Sequence, residues 1–133
     1  MNRRKSRELA MQLLFSMTIS TSNVKETIES YKKSCEEDIS NIDFEYIEEI
    51  MNGVQNKKEE LDKKIGENLK GWKLSRISNM TLTILRIAIY EIEYIENIPE
   101  KVTINEAIEL SKLYCEDKAP QFVNAILDKL LKK

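Results

Sequence analysis

The apolar positions of this chain recur at spacings of three and four along most of its length. Leu9, Leu13, Leu14 and Met17, with Ala10 between them, place one apolar stripe on a helix from residue 3 to about residue 19. The polar stretch STSN at 20–23 ends that helix. Val24, Ile28, Tyr31 and Cys35 make a narrower stripe, which predicts a second helix with one face down and the rest in water. Asp43 is placed to cap a long third helix on which Phe44, Ile47, Met51, Val54, Leu61, Ile65 and Leu69 keep the rhythm. Gly53 and Gly66 fall inside it, each at a cost of about 1 kcal/mol relative to alanine. Gly53 reads as a point of close helix packing rather than a break.

Gly71 separates this helix from WKLSRISN, a short turn-like segment carrying the only tryptophan. In MTLTILRIAIYEIEYIEN the residues Met80, Ile84, Leu85, Ile87, Ala88, Ile89, Ile92 and Ile95 cover nearly the whole circumference. A helix apolar all round is a buried, central one. Pro99 closes it, and TINE at 103–106 fits a capping box, with Thr103 and Glu106 exchanging hydrogen bonds with each other's backbone to open the next helix. After the loop CEDKAP, Pro120 sits in a first turn, where its missing N–H costs nothing. Phe122, Val123, Ile126, Leu127, Leu130 and Leu131 carry the last helix. The expected fold is all-α, about six to seven helices with short connections.

Composition supports this. Three glycines and two prolines in 133 residues leave little material for hairpins, and the length fits one domain, residues 1–133, with a real core. No apolar run approaches the roughly 18 residues of a membrane span. Glu8 and Gln12 interrupt the first apolar stretch, which argues against a secretory leader. Cys35 and Cys115 stand alone, so a reduced, cytoplasmic setting is expected.

The absence of histidine removes the commonest general base near neutral pH and the commonest metal ligand. Two isolated cysteines do not make a zinc site, and the isolated glycines make no phosphate loop. Acid runs such as Glu36–Asp38 and Glu48–Glu49 read as solvated helix faces. A binding protein without cofactor or metal is expected, not an enzyme.

Charge sharpens that reading. The net charge is −2, yet Arg3, Arg4, Lys5 and Arg7 all precede the first acid, Glu8. Cations at a helix N-terminus oppose the macrodipole, and together with the free amides there they favour an anion. Nucleic-acid phosphate is the expected ligand; the plain alternative is a solubilising basic terminus. Spacing alone assigns Phe15 to the core. Lys118, Gln121 and Asn124 surround Phe122, a cation and two amides beside an aromatic, as in single-stranded RNA recognition. The plain alternative makes Phe122 an anchor for the last helix. The acids Glu91, Glu93, Glu96 and Glu100 suit a basic protein partner and repel RNA.

RRKSRELAMQLLF, GWKLSRI, ILRIAIYEIEYIENIPEKVTINEAIELSK and DKAPQFVNAILDKL, in that order, resemble the NusB family of bacterial transcription antitermination factors from end to end. The resemblance implies two packed helical bundles and binding to boxA RNA of ribosomal RNA transcripts. It implies a heterodimer with NusE, a small-subunit ribosomal protein, and assembly with the other Nus factors on RNA polymerase. Monomeric and homodimeric forms are both compatible with it. Carried over residue by residue, the arginine-rich RNA contact falls on Arg3, Arg4, Lys5 and Arg7, the first-helix aromatic on Phe15, and the loop–helix contact on Lys118, Gln121, Phe122 and Asn124. Where some members have tyrosine this chain has Phe15, so stacking is expected without a hydroxyl contact. Some carry an acid where Lys118 stands, a change that favours RNA. Tyr114–Cys115 and Ala125 replace the usual glycines of FG and VNG, so loop geometry there is expected to differ. The same module forms the front of certain ribosomal RNA cytosine methyltransferases, a reading that requires a further, Rossmann-like half. A purely protein-binding adaptor is the third reading.

Overall fold

A computed structural model describes residues 2–69 and 74–131. Its α-helices are α1 (Arg3–Met17), α2 (Val24–Ser34), α3 (Phe44–Asn56), α4 (Lys58–Glu67), α5 (Asn79–Tyr94), α6 (Glu100–Tyr114) and α7 (Ala119–Leu131). A 3-10 turn at Leu74–Arg76 leads into α5, and no strand occurs among the described residues. The expected all-α class is what is observed. Gly71 and Trp72 lie outside the described residues.

The cap chemistry is local: the Asp43 cap forms as read, and a capping box at Asn23 joins it. The Asn23 side chain accepts from the Glu26 amide while Glu26 reaches back to the Asn23 amide, so α2 carries a full capping box. Asp43 accepts from the Tyr46 amide at 3.1 Å and opens α3. Residues 81–89 of α5 are buried without interruption. That helix packs against α1, α3 and α4 from the N-terminal group and against α6 and α7 from the C-terminal group. Two bundles therefore share one central helix.

Two expectations are corrected. The long third helix is two, because Lys57 leaves helical geometry at φ −108°, ψ 12°. Val54 and Leu61 are buried on either side of that break, so the apolar rhythm continues across it and gives no sign of it. The TINE capping box does not form. Pro99 is the cap residue of α6, after Asn97 has taken the left-handed conformation (φ 71°) that reverses the chain. Thr103 and Glu106 then lie inside the helix, and their side chains turn to α5 and α1 instead of the backbone.

Gly53 is the close-packing point the pattern suggested. A Cβ there would lie 2.0 Å from Cζ of Tyr90, whose ring is stacked on Tyr94 with centroids 5.0 Å apart. Around Gly66 nothing lies within 4 Å of such a Cβ. The two glycines should therefore respond in opposite senses. Gly53→Ala should lower stability by about 1–3 kcal/mol by forcing the Tyr90 ring aside. Gly66→Ala should raise it by up to about 1 kcal/mol through helix propensity. Urea unfolding of both variants checks the pair.

Candidate nucleic-acid interface

The arginines of α1 separate into two kinds. Arg7 is 3% exposed and faces Glu91 of α5, itself 0% exposed. Its Nε donates to Glu91 Oε2 at 2.6 Å and its Nη2 to Oε1 at 2.7 Å. The hydroxyls of Tyr46 and Thr103 also donate to that carboxylate, at 2.7 and 3.3 Å. One buried carboxylate thus joins α1, α3, α5 and α6, with four donors to offset its desolvation. Burial works against the Arg7 charge, but the Glu91 hydrogen bond and the carboxylate charges of Glu91 and Glu106 outweigh it and hold the guanidinium protonated. Burial, then the Glu91 charge, pushes the Tyr46 phenol up.

This overturns two sequence readings. Arg7 is a structural cation of the core, and in this fold it is not presented to a phosphate. Glu91 is no surface acid for a protein partner. Both lie on the inner face of their helices, where Arg7 shares a stripe with Ala10 and Leu14, and each supplies the charge the other lacks.

Arg3, Arg4 and Lys5 are the exposed cations of the tip. Arg3 lies 4.2 Å over the Tyr46 ring, with Asp43 at 3.7 Å. Arg4 reaches α6, donating from Nε to Glu106 Oε1 at 3.0 Å and from Nη2 to Oε2 at 2.7 Å. That hydrogen bond from Arg4, then its charge and that of Arg7, holds the Glu106 carboxyl below its usual range against the opposing effect of burial. The Asn2 side chain accepts from the Lys5 amide at 3.0 Å, so part of the amide-rich helix start is already satisfied. A cleft of ≈ 580 Å³ between α1 and α6 is lined by Arg4, Lys5, Glu106, Glu109, Lys112 and Leu113 among others.

Phe15 is half-buried, one turn beyond Gln12 on α1, and lies outside the core cluster to which spacing assigned it. The phenol of Tyr114, the last residue of α6, donates to Glu8 at 2.7 Å and accepts from Gln12 at 2.9 Å. The end of α6 therefore lies across the middle of α1, four residues before Lys118. At the start of α7, Gln121 and Asn124 are exposed while Phe122 is half-buried against the core. Phe122 and Lys118 line a cavity of ≈ 180 Å³ with Arg76, Ile77, Ser78 and Thr81. Arg76 is the cation that sequence reading missed. It comes from the 3-10 turn before α5, and no spacing connects that turn with α7.

Of the other acids, Glu93 pairs with Lys64 of α4, while Glu96 and Glu100 are exposed near the turn between α5 and α6. No helix among the described residues is long and apolar enough to cross a membrane.

The NusB family model matches residues 4–132. A transcription antitermination protein NusB of Clostridium novyi is 52% identical over 132 residues, covering 99% of each chain. In fold, the chain matches T. maritima NusB with a TM-score of 0.86 at 29% identity, over 100% of this chain and 92% of that one. It also matches a chain from a crystal structure of the antitermination factors NusB and NusE with double-stranded RNA, with a TM-score of 0.80 at 21% identity and coverage of 98% and 96%. With a family model spanning nearly every residue and a relative half identical end to end, the chain belongs to the NusB family.

Proposed function

We propose that the exposed face of α1 and the start of α7 together bind single-stranded RNA of the boxA type, with a NusE-type ribosomal protein as co-ligand. As a member of the NusB family the chain is a transcription antitermination factor, an RNA-binding regulator and not an enzyme. The observation that carries the site is the division of labour in α1. Arg7 is locked into the core, which fixes the helix start and leaves Arg3, Arg4 and Lys5 on the surface. Phe15 and Phe122 offer rings for stacking, and Lys118, Gln121, Asn124 and Arg76 supply cations and amides around the second. Tyr114, lying across α1, supports one continuous face.

The reading places the factor in the cytoplasm, with RNA polymerase and the other Nus factors. The exposed Glu96 and Glu100 and the partly exposed Glu93 suit a basic ribosomal-type partner. Two footprints on one RNA reinforce each other, so the partner should raise RNA affinity. A homodimer covering the same face would be a storage form, which light scattering with and without RNA would detect.

The test is the salt dependence of binding. Three phosphates neutralised by Arg3, Arg4 and Lys5 correspond to a slope of log affinity against log salt of about −2 for a single strand. Replacing all three with glutamine should weaken binding and flatten the measured slope by about that amount while the circular dichroism stays unchanged. An unchanged slope would return these residues to the role of solubilising charge. Equal RNA affinity with and without the NusE-type protein would count against the heterodimer.

A further inference from the structure

We propose that Glu106 is a built-in competitor for RNA at the basic tip, its carboxylate gripping Arg4 as a phosphate would until a strand displaces it. The inference rests on the reading of that tip as an RNA site. Arg4 meets Glu106 through two parallel N–H···O contacts, at 3.0 and 2.7 Å, the fork geometry that guanidinium also uses for phosphate. The two partners are unequally held. The Arg4 side chain is 73% exposed and Glu106 only 13%. Glu106 is also anchored from behind by Arg7 Nη1 at 3.4 Å, and Arg7 is itself clamped by Glu91.

The pair can therefore open in one direction only. Arg4 swings outward, while Glu106 stays in place and keeps a cation beside it. Both line the cleft between α1 and α6, with Lys5 and Lys112 on its rim, so a phosphate entering there meets Arg4 where Glu106 holds it. A single weak anion gains little by exchanging one carboxylate for another oxyanion. A strand that already contacts Arg3 and Lys5 brings its phosphate to Arg4 at high effective concentration and wins the exchange. Glu106 thereby selects for polyanions over small anions and limits tight binding to arbitrary RNA.

The experiment is a double-mutant cycle read by fluorescence anisotropy with a short labelled boxA RNA, on the whole 133-residue chain. Exposed ion pairs are weak, so freeing Arg4 in Glu106→Gln should tighten RNA binding by only about three- to fivefold. In an Arg4→Gln background the same change should have no effect. Glu109→Gln removes an equal charge one turn along α6 that acts on Arg4 only through space and pairs with Lys112 at 3.6 Å, and it should alter affinity by less than about twofold, within the range of a screened surface charge. Glu106→Gln is isosteric and leaves Arg7 its Glu91 partner, so its unfolding midpoint should stay close to that of the parent chain.

Unchanged or weaker binding by a folded Glu106→Gln overturns the proposal. So does a gain that survives in the Arg4→Gln background, or one matched by Glu109→Gln, since either makes Glu106 a mere through-space charge. These failures are separable from failure of the site itself. If RNA binding ignores the neutralisation of Arg3, Arg4 and Lys5 together, the tip reading falls and the competitor role falls with it. If binding depends on the tip and Glu106→Gln changes nothing, only the competitor role falls.

Discussion

Glu91→Ala should cost the fold about 3–5 kcal/mol, the loss expected when one member of a buried ion pair is removed and the other is left behind. Arg7 would keep the long contact to Glu106 at 3.4 Å and its place 5.8 Å over the Tyr46 ring, and the hydroxyls of Tyr46 and Thr103 would lose their shared acceptor. Arg7→Ala should cost a similar amount, because it leaves Glu91 charged in the core with only two hydroxyl donors. The double variant should be much less destabilised than the sum of the two, since the second change removes a charge the first had orphaned. Urea unfolding of the three variants measures the coupling. Additive losses would mean that the two side chains act independently and that the joint between α1 and α5 rests on apolar packing. The same variants bear on function. If Arg7 positions the tip without touching RNA, any folded Arg7 variant should lose affinity but keep the salt slope.

Phe122→Ala should weaken RNA binding by about 1–3 kcal/mol, the usual contribution of one base stacked on an aromatic side chain. Its ring lines the cavity formed with Lys118, Arg76 and Thr81 while its other side meets the core, so one residue has two duties. Being only half-buried, it should cost less stability on truncation than the roughly 3–5 kcal/mol of an enclosed phenylalanine. Phe122→Leu separates the duties, because leucine restores most of the packing but offers no π face. The leucine variant should unfold near the parent midpoint and still bind RNA weakly. A leucine variant with full RNA affinity would make Phe122 an anchor of α7 and nothing more.

The two predictions lie on either side of the boundary between what could be read in the chain and what could not. Helix positions, the central place of α5 and the cap at Asp43 depend on side chains within a few residues of one another, so spacing reveals them. The marginal position of Phe122, one place off the stripe led by Val123, follows from helix geometry for the same reason. Lys57 is a different case. One residue leaves helical geometry there without disturbing the apolar period, and the period was the only signal available.

The arginine cluster marks the limit most clearly. By itself the sequence determined that four cations would share the start of a helix, because their spacing and the helical pitch are local properties. It could not rank them, since Arg3, Arg4, Lys5 and Arg7 are nearly equivalent as letters. Only the tertiary structure decided that Arg7 turns inward to Glu91, 84 positions away, and that Arg4 is held by Glu106, 102 positions away. It also decided that Thr103 and Glu106, which match a capping box as a local pattern, serve this polar cluster instead. The physical reason is that a buried charge is stable only beside a partner, and the partner is chosen by which helices pack together, whatever its distance along the chain.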